Sequence, residues 1–323
     1  MQKLDERQQL HRVFWPRSLN ARDFERPDFL IDGHANHILG IEVTSFYASN
    51  ADAKLKHLPG YAGALIDGTR RPHLADTDQL RVEEVTLLNQ DESVFDKITG
   101  IIQEVPSPET RIELLFSKIS EKEQKTEGYL RNCDEVDLVI YDASHLFHHE
   151  SHEQFYRSLH PLAPKLNLVA SRFREIHMIT SAADRNSVYI PLIANTFIAD
   201  CFAYEHLLAS EIKAGRSSRE VFQLLAACLW QEGYSRARVT SSNQGVGFSC
   251  GAWEIFYAED GKKIRDWNFP DSTYGGEPLT DAISDASTEV LELAQSLLAS
   301  RNTCFSAVDV RLPTHEPSPR RMG

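Results

Sequence analysis

Glu25-Arg26-Pro27-Asp28-Phe29-Leu30-Ile31, followed after an Asp32-Gly33 pair by Ile38-Leu39-Gly40-Ile41-Glu42-Val43-Thr44, is the stretch on which the reading of this chain turns. Two short apolar runs joined by a turn-like pair predict a β-hairpin. Each run carries a carboxylate, Asp28 ahead of the first and Glu42 inside the second. Acids on neighbouring strands are held by rigid backbone and can share one divalent cation, and hard cations such as Mg²⁺ take oxygen ligands of this kind. Glu42 interrupts a run that otherwise belongs in a core, where an unpaired carboxylate is costly. A second placement stays open, because Ile41 and Val43 point to one side of a strand and Glu42 to the other, which can be solvent. The Pro27-Asp28 pair also has a simpler reading as a turn or cap.

Outside this stretch the composition is that of an ordinary folded protein. Apolar residues make up 41% and charged residues 25% of 323 positions, which excludes wholesale disorder. That length accommodates two unequal parts. No apolar run suggests a membrane span, and Met1–Arg7 lacks the apolar segment of a signal peptide, so a cytoplasmic location is expected, with no membrane partner. The cysteines Cys133, Cys201, Cys228, Cys250 and Cys304 show no C-x-x-C spacing and read as reduced, mostly buried thiols. A net charge of −13 argues against a non-specific nucleic-acid coat protein, though not against a small basic cleft. Arg12, Arg17, Arg22, Arg26, Lys54, Lys56, Arg70 and Arg71 are the candidates to line one, and each is equally a solvated surface charge.

Periodicity predicts a helix over Gln2–Phe14 with Leu10, Val13 and Phe14 on one face and Glu6 at its edge. Residues 54–68 read as loop around Pro59, 81–88 as a strand, and 91–105 as a helix. Ser107–Lys125 is a strong helix with Ile112, Leu115, Phe116 and Ile119 on one stripe, and Val136–Tyr141 is a buried strand. A polar helix over about 150–159 and short strands at 175–180 and 188–193 follow. Strands separated by helices imply crossovers, hence an α/β fold with a mixed central sheet flanked by helices. The texture changes near residue 197, with helices over 197–213 and from the capping box at Ser217-Ser218-Arg219-Glu220 through Trp230. A hairpin over 253–267 and a closing helix over 279–298 complete an α+β extension. The expected division is 1–200, 201–310 and a flexible tail 311–323.

Pro27-Asp28, with Glu42 fourteen positions on in Gly40-Ile41-Glu42-Val43-Thr44, resembles the PD-(D/E)XK nuclease superfamily. The resemblance covers about residues 1–200 and implies a restriction-endonuclease-like core. It also implies Asp28 and Glu42 as ligands of Mg²⁺ (or Mn²⁺), Glu6 as a further metal-shell acid from the first helix, and DNA or RNA as substrate. The family places a lysine two positions after the second acid, and here that residue is Thr44. Lys118, Lys122 and Lys125 fall on one stripe of the following helix and are candidates to replace it, or are surface partners of Glu121 and Glu123. The alternative function is an inactive nuclease-like module acting through a protein or nucleic-acid partner. The extension, with Trp253, Phe256, Tyr257 and Trp267 in its hairpin, is expected to serve oligomerisation, substrate capture or a protein partner.

Other chemistry finds little support. His145, His148, His149 and His152 have helical spacing but neither a cysteine pair nor H-E-x-x-H, so they read as a polar helix start rather than a zinc site. Gly245-Val246-Gly247-Phe248 lacks the third glycine of a dinucleotide loop, and no Walker loop or G-x-S-x-G is present.

Overall fold

The computed structural model describes residues 2–14, 17–33, 36–72, 80–147, 168–181, 187–266 and 276–304. Leu10, Val13 and Phe14 give helix α1 (Gln2–Phe14) its apolar edge, and it packs on Phe29, Ile31, Leu39, Ile41 and Val43. These belong to the predicted hairpin, now strands β2 (Phe29–Asp32) and β3 (Ile38–Phe46), which follow the short β1 (Arg22–Asp23). Strand β3 continues the sheet in parallel to β6 (Glu135–Asp142), which is parallel to β7 (Ile176–Ser181), and β8 (Ser187–Pro191) closes it antiparallel. The result is a six-stranded mixed sheet in the order β1-β2-β3-β6-β7-β8. The α/β class read from the alternation of elements is therefore correct.

Alternation along β3 sorts its side chains between two cores. Leu39, Ile41 and Val43 face α1, while Phe46 joins Ile112, Leu115 and Ile119 of helix α4 (Pro108–Glu123) on the opposite side. Glu42 and Thr44 share the face of Phe46 by the same two-residue period. Ser107 caps α4 by accepting from the Thr110 amide at 3.3 Å, and Pro108 follows at its first position, where its missing N–H costs nothing.

Gly40 is dictated by contact. A Cβ there would lie 2.6 Å from both the Pro27 ring and Cys133 Sγ, so the glycine lets Pro27 cross β3 closely and sets Asp28 beside it. Gly40→Ala is expected to destabilise the protein by about 1–3 kcal/mol through overpacking, read as a lowered urea midpoint with unchanged slope.

Between β3 and α4 the chain departs from its sequence pattern. Residues 54–68 are not loop. They contribute to helices α2 (Asn50–His57), capped by Ser49, and α3 (Tyr61–Ile66), with Pro59 and Gly60 in the joint between them. Residues 91–105 are not helical, since β4 (Leu80–Leu88) and β5 (Val94–Gln103) form an antiparallel ribbon. Val94, Phe95, Ile98, Ile101 and Ile102 imitate helical spacing. The β-branched residues of Ile98-Thr99-Gly100-Ile101-Ile102 and pairing to β4 override it. A short helix α5 (Thr126–Tyr129) then leads into β6.

Helix α6 (Leu192–Lys213) runs through the expected boundary near residue 200, and α7 (Ser218–Glu232) begins with the predicted capping box and ends at Gly233 in the left-handed conformation. The second sheet is antiparallel, β12-β11-β10-β9-β13, from β9 (Arg238–Ser242), β10 (Gly245–Cys250), β11 (Trp253–Ala258), β12 (Gly261–Asp266) and β13 (Glu277–Pro278). The hairpin at 253–266 was legible. The two strands before it were not, because glycines at 245 and 247 suppress the strand pattern. The closing helix is broken into α8 (Leu279–Ala282) and α9 (Thr288–Cys304).

One apolar cluster runs from Leu30 and Leu115 through α6 and α7 to Ile255, Val290 and Ala294, so both halves share a core. Glu175 ties them together. Fully buried, its carboxylate accepts from the amides of Ile193 at 2.9 Å and Ala194 at 3.1 Å at the start of α6, and from Ala252 at 3.1 Å between β10 and β11. The expected helix at 150–159, His148, His149 and His152, Trp267 and the tail 311–323 lie outside the described residues.

Candidate functional site

Strand β2 pairs with β3 only as far as Phe29 opposite Ile41, and beyond it the Val43 amide meets the Asp28 side chain instead of a neighbouring strand. A notch in the sheet results, and it opens into a cleft of about 900 Å³. Asp28 and Glu42 both line it, together with Thr44, Lys122, Lys56, His57, Arg12 and Glu6. The two acids, the threonine in the position of the usual lysine, and one lysine from α4 are thus on the same wall.

Each acid is held in place. Asp28 Oδ2 accepts from the Val43 amide at 2.9 Å, which fastens the carboxylate to β3 just past the last β2 partner. Glu42 is 7% exposed, so the solvent-facing placement is excluded. Lys122 Nζ donates to Glu42 Oε1 at 2.6 Å, reaching across from α4 to the face of β3 that carries Glu42 and Thr44. Such a charge-assisted contact offsets the desolvation of both groups.

Tyr129, buried beside Glu42, was missed by the sequence reading. It is buried, and burial, then the charges of Glu42 and Asp28 together with a hydrogen bond to Glu42, drives its ionisation far above the ordinary tyrosine range. The phenol therefore stays protonated and donates to Glu42. The signal in the sequence was slight: an aromatic residue one short turn after the lysine-bearing helix.

The remaining candidates divide cleanly. Lys118 and Lys125 are not at the acids; both bind Glu121, at 2.9 and 2.7 Å, and their hydrogen bonds hold its carboxyl at about 2. Glu6 projects from α1 onto the opposite side of the cleft, half-buried. Among the proposed basic residues, Arg12 and Lys56 line the cleft, whereas Arg22 pairs with Asp32 at 2.8 Å and Arg70 lies over the Tyr61 ring. Arg12 is steadied by Gln9 at 3.2 Å and by the face of Tyr141, and Lys56 by the Ala143 carbonyl and by Asp52 at 3.4 Å. His57 joins them through Tyr47. The lining thus sets three cations, Arg12, Lys56 and Lys122, among three carboxylates, Glu6, Asp28 and Glu42, in a chain that is strongly acidic elsewhere.

Asp28 and Glu42 are oxygen donors of the kind that Mg²⁺ or Mn²⁺ takes, and both line the one cleft. Two carboxylates fixed on one wall are what such an ion uses when water and substrate phosphate supply its other positions. Groups of three or more His, Cys, Asp or Glu side chains that would cage an ion by themselves are absent among the described residues. Cys133, Cys201, Cys228 and Cys250 are free and buried, as expected of structural thiols, and none lines the cleft.

Comparison with family models, with curated proteins and with solved structures finds no match to this chain. Among the described residues, no helix is long and apolar enough to cross a membrane.

Proposed function

We propose that this protein is a metal-dependent nuclease with a restriction-endonuclease-like core, hydrolysing phosphodiester bonds of DNA or RNA. The observation that carries the reading is the placement of Lys122 on Glu42, beside Asp28 and on the face where Thr44 leaves no cation. Asp28 and Glu42 would hold Mg²⁺ or Mn²⁺. A bound divalent ion supplies charge neutralisation at the scissile phosphate and an acidified water. Lys122 holds its ammonium group where negative charge grows on the phosphate oxygens, Tyr129 fixes the Glu42 carboxylate in orientation, and Arg12, Lys56 and His57 bind the flanking phosphates. In the reaction a water oxygen forms the new bond to phosphorus, the bond to the departing sugar oxygen breaks, and that oxygen takes up a proton.

The alternative, a module that keeps the core and has lost catalysis, rests on Thr44, which stands where the family has its lysine. The two readings part on metal. Wild-type protein is expected to cleave plasmid, linear DNA or RNA with Mg²⁺ and not with chelator, and to bind Mg²⁺ by calorimetry, with Asp28→Asn weakening that affinity by at least about tenfold. Absence of both cleavage and Mg²⁺ binding in a folded preparation would refute the nuclease reading and favour the module.

A further inference from the structure

The ribbon β4–β5 stands apart from the two sheets. Its base rests on α2 and α3 through Leu80 and Ile101, but Phe95 is 70% exposed, Val94 62%, Ile98 50% and Ile102 48%. An isolated two-stranded ribbon is only marginally stable in water, and both of its strands are edges with unpaired backbone groups. Exposed apolar residues on such an edge mark an interaction surface.

The charge of the ribbon selects among occupants. Across residues 80–103 two basic side chains, Arg81 and Lys97, face five acidic ones, Glu83, Glu84, Asp91, Glu92 and Asp96. Although a β-ribbon has the width to enter a DNA groove, this one repels phosphate, and an anionic membrane equally. The β5 sequence Val94-Phe95-Asp96-Lys97-Ile98-Thr99-Gly100-Ile101-Ile102 is, however, palindromic in polarity about Ile98. Antiparallel pairing of β5 with a second β5 on a twofold through Ile98 sets Ile98 against Ile98, Phe95 against Ile101 and Val94 against Ile102. In the same register Asp96 meets Gly100 and Lys97 meets Thr99, so no like charges oppose. Strand β4 has no such property, because a twofold near its middle brings Glu83 or Glu84 against the same pair in the other copy.

We propose that two copies of this chain associate through their β5 edges, in register about Ile98, to make a continuous four-stranded ribbon. The interface is isologous and closes at two copies, which exposed edge strands otherwise do not. It stands independently of the nuclease reading.

Sedimentation of the full chain over a concentration series is expected to give twice the monomer mass of 36.6 kDa. Ile98→Lys, on an exposed position that the monomer tolerates, sets two ammonium groups face to face and is expected to weaken association by more than about 100-fold. The thiols Cys133, Cys201, Cys228 and Cys250 are buried. In a Cys304→Ser background, Ile98→Cys is therefore expected to form a disulfide-linked dimer on oxidation, since directly opposed Cβ atoms lie about 4.5–5.5 Å apart. Val85→Cys, on the far strand of the ribbon, is expected to form none. A monomer at every concentration, or a dimer that is indifferent to Ile98→Lys and that Ile98→Cys does not cross-link, overturns the proposal. So does a monomer whose binding to DNA or to anionic vesicles is abolished by Ile98→Lys.

Discussion

Glu42→Gln is expected to lower metal-dependent cleavage by about 10³-fold or more, and Lys122→Met by about 10²-fold, while Lys118→Met and Lys125→Met stay near wild type. The ordering follows from geometry. In the proposed reaction Glu42 would hold the metal, and it also anchors Lys122 and Tyr129, so its amide replacement removes a charge and an orientation together. Lys122 contributes its charge where the phosphate becomes more negative, an electrostatic contribution of a few kcal/mol in a cleft partly shielded from water. Lys118 and Lys125 spend their charge on Glu121 at the helix surface, and surface pairs of this type contribute little.

Stability separates the catalytic role of Lys122 from a structural one. Lys122→Met leaves Glu42 buried beside an apolar neighbour and is expected to cost about 1–3 kcal/mol in urea unfolding. The double variant Glu42→Gln/Lys122→Met removes both charges and is expected to recover most of that loss without recovering cleavage. Recovery of cleavage in the double variant, or equal loss in Lys118→Met, would refute Lys122 as the replacement for the missing lysine.

The hairpin around Asp28 and Glu42 was legible because its signals are local: two apolar runs of strand length, a turn pair, and a carboxylate where a core residue belongs. The choice among Lys118, Lys122 and Lys125 was not. Helical spacing puts all three on one stripe, and which of them meets Glu42 depends on how α4 is rotated over β3, which Ile112, Leu115 and Ile119 decide by packing. In the ribbon the strand at 81–88 was legible, but residues 91–105 misled for the opposite reason, their apolar spacing satisfying the helical period while the pairing of β5 to β4 is a partner effect invisible in one segment. Within Val136–Tyr141, Asp137 was a signal passed over. A carboxylate in a strand buried on both faces requires a partner, and the matching anomaly, His177 in Ile176–Thr180, was available one strand later.

That pair supplies the largest expected loss of stability. Asp137 is fully buried and accepts from Arg174 Nε at 2.8 Å and from its second guanidinium nitrogen at 2.5 Å, while His177 Nε2 lies 2.8 Å away and its other ring nitrogen meets Tyr189 at 2.8 Å. Burial alone would raise the pKa of Asp137 and disfavour its ionisation, but the Arg174 charge and its two bonds, with His177, more than reverse this and hold the carboxyl below the usual range. A carboxyl depressed in the folded state contributes stability that is present above the unfolded value of about 4 and is lost as pH falls through the lower, folded value. Arg174→Met reverses the balance. With the guanidinium gone, burial dominates and the folded carboxyl rises above its unfolded value, so its contribution is present in acid and disappears as pH rises. The variant is therefore expected to lose about 3–5 kcal/mol at pH 7 and distinctly less near pH 4, where the carboxyl takes up a proton. Urea titrations of both proteins at the two pH values measure this directly. A loss of equal size at both would mean that Arg174 acts by packing its aliphatic stem rather than by compensating the buried charge of Asp137.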